Sequence, residues 1–108
     1  MLNIRASEKI VSSLMSEVDA AYAQLKSGDS ESAAETLDKA IEHWLTLDGY
    51  THIFIRHSEI NSTTEAFFQF RSDIGSGDAD AAEGSYGLLS ETLRSIMTME
   101  QISLGSIF

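Results

Sequence analysis

The chain has 108 residues, 43% of them hydrophobic and 22% charged, with 17 acidic against 7 basic side chains and a formal net charge of −10. That length holds one domain with a buried core and leaves no room for a second, and the composition is too apolar for wholesale disorder. The basic residues are scattered singly, which excludes a nucleic-acid surface and disfavours an anionic membrane, and the absence of Cys excludes disulfides, Cys-ligated zinc and a thiol nucleophile.

There is no Pro, so punctuation must come from Gly and turn dipeptides. Ser27-Gly28-Asp29-Ser30, Asp48-Gly49 and Gly75-Ser76-Gly77-Asp78 divide the chain into four segments. Each carries apolar residues at helical spacing, the mark of a helix with one buried face. The first reads Val11, Leu14, Val18, Ala21, Leu25, and the second Ala33, Leu37, Ala40, Trp44, Leu47. Gly28 is placed to end the first helix, and Asp29 or Ser30 to cap the second. The third reads Ile53, Ile60, Phe67, Ile74, and the fourth Ala82, Tyr86, Leu89, Leu93, Ile96 after an Asp78 cap. Helices are predicted over residues 4–27, 30–47, 51–74 and 79–98.

Two places strain this pattern. Asn61-Ser62-Thr63-Thr64 sets four poor helix formers inside the third segment, which predicts a kink or short break. Gly84 and Gly87 fall inside the fourth, which predicts a weak or late-starting helix unless a neighbouring helix approaches closely there. Gly105 and two Ser interrupt the pattern after Met99, so residues 99–108 are expected to form an extended apolar tail.

Gly28-Asp29 and Gly77-Asp78 lie 49 residues apart, and at that offset Ala33 meets Ala82, Leu37 meets Tyr86, Ala40 meets Leu89 and Trp44 meets Leu93. Upstream, Val18 meets Phe67 and Leu25 meets Ile74. The chain is therefore expected to be all-α, a single domain of two antiparallel helical hairpins with equivalent turns. A four-helix bundle and a tetratricopeptide-like packing of hairpins both satisfy this pattern, although the tetratricopeptide period is shorter and its Pro and Tyr marks are missing.

The stretch Phe54-Ile55-Arg56-His57-Ser58-Glu59-Ile60, preceded by Trp44 and followed by Phe67, a Gly-Asp turn and the closing Met99-Glu100-x-x-Ser103-Leu104-x-x-Ile107-Phe108, resembles the bacterial domain-of-unknown-function family 4363. The likeness runs over nearly the whole chain from about Ile10 onward. It implies a small α-helical protein without a known activity, commonly carried behind an N-terminal membrane anchor with this domain outside the cytoplasmic membrane. This chain departs from that pattern by showing no anchor, and by Gly105-Ser106 where the family has an Asn. Its start, Met1-Leu2-Asn3-Ile4-Arg5, lacks a signal-peptide core, and no run approaches the roughly 18 apolar residues of a membrane span, so no insertion by this chain itself is expected.

Candidate chemistry is sparse. His52, His57 and Glu59 form the densest group of ligating residues, but their spacings of five and two do not share a helical face as metal ligands on one helix do. His43 joining across the hairpin makes a His43, His57 and Glu59 ligand cluster conceivable, against a plain reading of His57 as a semi-buried, hydrogen-bonded side chain. Trp44, Phe54, Phe67, Phe68, Phe70 and Tyr86 read as core rather than as an aromatic pocket. Phe67-Phe68-Gln69-Phe70 cannot place all three rings on one face, so at least one is expected at the surface. Asn61-Ser62-Thr63 matches a glycosylation acceptor but lies in a predicted helix, and Gly75-Ser76-Gly77 lacks the strand and Lys of a phosphate loop.

No catalytic set and no cofactor fingerprint emerges, and no cofactor is expected. The expected function is a non-enzymatic structural or protein-interaction module, at the cell envelope if the family likeness holds and otherwise cytoplasmic. Its interface, toward a protein partner or a second copy, is expected around Phe67, Phe68, Phe70, Ile102, Leu104, Ile107 and Phe108. The competing reading is a metal- or small-ligand-binding protein using His43, His57 and Glu59.

Overall fold

Four apolar stripes, joined in pairs by Gly-Asp turns, become four helices among the described residues of a computed structural model, which describes the backbone of residues 3–51 and 57–107 and the side chains of residues 9–46 and 60–98. Helix α1 spans Asn3–Lys26, α2 Ser30–Thr51, α3 His57–Ser76 and α4 Ala79–Ile107. No strand occurs among the described residues.

The two Gly-Asp turns end one helix and start the next by the same chemistry. Gly28 and Gly77 take left-handed φ values of 92° and 76°, where a Cβ would be strained. The Gly28 N–H donates to the Leu25 carbonyl at 3.0 Å and the Asp29 N–H to that of Gln24 at 3.0 Å, a Schellman closure of α1; the Gly77 N–H donates likewise to Ile74 at 3.2 Å. Asp29 Oδ1 then accepts from the Ser32 N–H at 3.0 Å, and Asp78 Oδ1 from the Ala81 N–H at 3.1 Å, so each Asp caps the following helix. The Ser32 backbone N–H, and then its hydroxyl, hold the Asp29 carboxyl below the ordinary carboxylate range. Its capping contribution is complete above that range and is lost as pH falls through the lowered value.

Helix α1 packs against α2 and α4, and α3 packs against α4 and α2. This closed ring makes the molecule a four-helix bundle of 47 × 21 × 19 Å, not a row of stacked hairpins, in which the first and last helices would not meet. The 49-residue repeat is visible in its interior. Val11 and Ile60, Leu14 and Thr63, Val18 and Phe67, Ala21 and Phe70, Ala33 and Ala82, Ala40 and Leu89, and Trp44 and Leu93 are equivalent by that offset, and every one is buried. Leu37 is buried beside its partly buried counterpart Tyr86.

Several expected boundaries are corrected. Helix α2 runs through Asp48-Gly49 to Thr51, so residue 51, expected to open the third helix, belongs to the second, and α3 is described over His57–Ser76. The chain remains helical to Ile107, so residues 99–107 are no extended tail. An established helix propagates one hydrogen bond at a time, and a lone Gly costs it only about 1 kcal/mol. The Asn61–Thr64 stretch also stays helical, because its hydroxyls find partners within the fold. The Thr64 hydroxyl donates to the Ile60 carbonyl at 2.8 Å and accepts from Trp44 Nε1 at 2.8 Å, while Thr63 is fully buried in the core.

Nor is the start of α4 delayed, and close helix approach is not the role of its glycines. A Cβ built at Gly84 or Gly87 would meet nothing within 4 Å. Replacing either by Ala is expected to stabilise the domain by about 1 kcal/mol, and the pair by roughly twice that, through lower backbone entropy in the unfolded chain. Thermal melts of G84A, G87A and the double variant check this: each single change should raise the midpoint by about 4–8 °C.

Candidate functional site

Each hairpin carries a groove along the seam between its two helices. The first, about 650 Å³, is lined by Lys9, Ile10, Ser13 and Glu17 of α1 and by His43 and Thr46 of α2. The second, about 750 Å³, is lined by Ser62, Glu65, Ala66, Phe68 and Gln69 of α3 and by Leu88 and Thr92 of α4. The grooves are related by the repeat: Ser13 corresponds to Ser62, Glu17 to Ala66 and His43 to Thr92.

In the first groove His43 Nδ1 lies 2.9 Å from Oε2 and 3.0 Å from Oε1 of Glu17. The pair is open to water, with His43 62% and Glu17 25% exposed, which makes it a surface ion pair when His43 is protonated, worth about 0–1 kcal/mol. His57 begins α3, but its side chain, that of Glu59 and all of His52 lie outside the described residues. Among the described residues no three His, Asp or Glu side chains come together as metal ligands would. His43 thus meets an acid that spacing along the chain did not suggest, on the helix across the hairpin.

The aromatic run divides as helical geometry requires, with a correction to the expected interface. Phe67 and Phe70 are fully buried core residues and cannot form a surface; Phe68, a third of a turn away, is 51% exposed. Ile102, Leu104 and Ile107 belong to α4, but their side chains, and Phe108 altogether, lie outside the described residues. Leu88, outside the expected interface, is 58% exposed and lines the second groove with Phe68. Adjacent Leu88 and Leu89 carried the signal, since two neighbours on a helix cannot share one stripe. At the equivalent positions of the first hairpin stand Asp19 and Lys39, also exposed. The second hairpin therefore presents a Phe and a Leu where the first presents charges.

A further constellation joins α1 to α4. The rings of Tyr22 and Tyr86 stack with centroids 4.0 Å apart, Lys26 Nζ sits 5.5 Å from the Tyr22 centroid, and the Tyr86 hydroxyl donates to Asp19 Oδ1 at 2.6 Å. The hydrogen bond to Asp19, then burial, pushes the Tyr86 hydroxyl above its ordinary titration range. A raised value stabilises the fold below the unfolded tyrosine range and loses that contribution as pH rises through the raised one. Tyr86→Phe is accordingly expected to lower the urea midpoint at pH 7 while flattening its decline above about pH 10. Urea titrations at a series of alkaline pH values check this. The opposite seam is tied differently, by Arg71 Nε on Asp38 Oδ1 at 2.7 Å between α3 and α2.

The profile of a family described as Domain of unknown function (DUF4363) matches residues 2–107. The chain belongs to this family. The DUF4363 match covers both hairpins and both grooves, so the Gly-Asp turns and the seam residues all fall within it. No curated protein and no solved structure matches the chain. No helix among the described residues of this DUF4363 member is long and apolar enough to cross a membrane.

Proposed function

We propose that the domain is a non-enzymatic interaction module whose docking surface is the second groove, between α3 and α4. The observation that carries this reading is the pairing of Phe68 and Leu88, each more than half exposed, in one groove. Both sit at positions where the repeat-related hairpin carries Asp19 and Lys39, so neither serves the core that the two hairpins share. Exposed large apolar side chains gathered at one site mark contact with another molecule, whereas single scattered ones need no explanation. The setting we propose is the bacterial cell envelope, on the family likeness alone. The ligand-binding alternative through His43, His57 and Glu59 draws only the exposed His43–Glu17 pair from the described residues.

Photo-crosslinking in the producing cells tests the reading. A photoreactive phenylalanine analogue placed at position 68 or 88 should form protein adducts, and the same group at the exposed Glu35 of the first hairpin should not. Adducts absent from 68 and 88, or equally abundant from 35, would refute it.

A further inference from the structure

Resting on that reading, we infer that the occupant of the α3–α4 groove is an amphipathic helix whose apolar stripe is flanked by Lys or Arg. The shape argues for a helix. The groove follows the seam of two long helices, and at about 750 Å³ it accommodates a few side chains rather than a folded surface. Phe68 and Leu88 supply apolar contacts on its two walls, the arrangement used when a helix lays its i, i+3, i+4 residues into a groove.

The charge argues for a basic partner. From Ile60 to Thr98 there are six acidic residues and two basic ones. Glu65 lines the groove directly, and Gln69 on the same wall is held by Asp73, its amide donating to Asp73 Oδ1 at 3.1 Å. Glu91 stands three residues after Leu88, on the neighbouring part of the same helix face. No described cation lines the groove: Arg71 is engaged by Asp38 toward α2, and Arg94 lies about a third of a turn from Leu88 around α4. A second copy of this chain would bring its own Glu65 and a net charge of −10 to the contact, which like-charge repulsion opposes. An anionic membrane is opposed for the same reason.

The test uses the full chain and two labelled synthetic peptides of about 18 residues, roughly 27 Å of helix. Both carry the same Leu stripe, flanked in one by Lys and in the other by Glu. Fluorescence anisotropy should show the Lys peptide binding at least about tenfold more tightly than the Glu peptide, with an affinity that falls as salt rises. The F68S/L88S variant, whose changes are on the surface and leave the net charge untouched, should lose about tenfold or more of that affinity. E65Q/E91Q should lose a smaller factor together with part of the salt dependence.

Binding of the Lys peptide unchanged in F68S/L88S would expose general attraction to an acidic protein and overturn the inference. Equal binding of both peptides, abolished in F68S/L88S, would overturn the basic partner and leave the docking groove standing. A dimer in sedimentation that F68S/L88S dissolves would assign the groove to a second copy instead. Binding of neither peptide, with crosslinks still formed from 68 and 88, would overturn the partner chemistry alone; with no such crosslinks, both readings fall.

Discussion

Replacing Trp44 by Ala is expected to cost about 3–5 kcal/mol, among the largest single losses in this domain. Trp44 is 1% exposed, its ring lies 5.9 Å from that of Phe67, and its Nε1–H reaches the Thr64 hydroxyl at 2.8 Å. Truncation removes the transfer free energy of the largest side chain in the core and leaves a cavity between α2 and α3 that rigid helices close only in part. The Thr64 hydroxyl is not orphaned, because it keeps its own bond to the Ile60 carbonyl. Trp44→Phe separates the two contributions. It retains most of the volume and should cost far less than the Ala variant, with about 1 kcal/mol of the loss due to the missing hydrogen bond. Urea unfolding followed by far-ultraviolet circular dichroism measures both, and an unchanged midpoint for Trp44→Ala would contradict the core assignment.

Phe70→Ala is expected to cost a similar amount, about 3–5 kcal/mol, for a reason that lies in the repeat. Phe70 is fully buried and meets the Tyr86 ring at 5.8 Å between centroids, while its equivalent in the first hairpin is the fully buried Ala21. A large side chain thus stands on one hairpin where the other carries a small one, and interiors are packed too densely for Phe70 to be shortened without a void. Truncation to Ala leaves the space beside the Tyr86 ring unfilled. The loss should appear as a lower urea midpoint with little change in slope. Combining Trp44→Ala with Phe70→Ala removes roughly 6–10 kcal/mol, which overlaps the whole stability of about 5–15 kcal/mol that a domain of this kind has. The double variant is therefore expected to be largely unfolded at 25 °C.

The second groove differs from these core sites in what its loss would do. Phe68 and Leu88 are more than half exposed, so replacing each by a polar residue should change the unfolding free energy by only about 0.5 kcal/mol. Stability and docking are therefore separable by mutation in this fold, and a binding defect in F68S/L88S can be read as a surface effect.

Much of this architecture is written locally, and the sequence alone determined it. Apolar residues at helical spacing name the buried faces, and glycine followed by aspartate names both hairpin turns, because left-handed φ and N-capping are local requirements that few residue types meet. The 49-residue offset carries the equivalence of the hairpins, and the family likeness is borne by residues spread along the chain. Other features waited on tertiary structure. Whether two hairpins close into a ring or stack in a row depends on the contact between α1 and α4, which no local pattern encodes. Asp48-Gly49 and Gly105, expected to interrupt helices, lie inside α2 and α4 because propagation and packing outweigh a propensity cost of about 1 kcal/mol. Asn61–Thr64 stays helical because Thr64 meets Trp44 from another helix and Thr63 enters the core. Glu17 meets His43 across 26 residues of chain and Asp19 meets Tyr86 across 67, distances at which periodicity is silent. The groove between Phe68 and Leu88 exists only once α3 and α4 lie side by side, since what makes it a site is the surface two helices leave uncovered together.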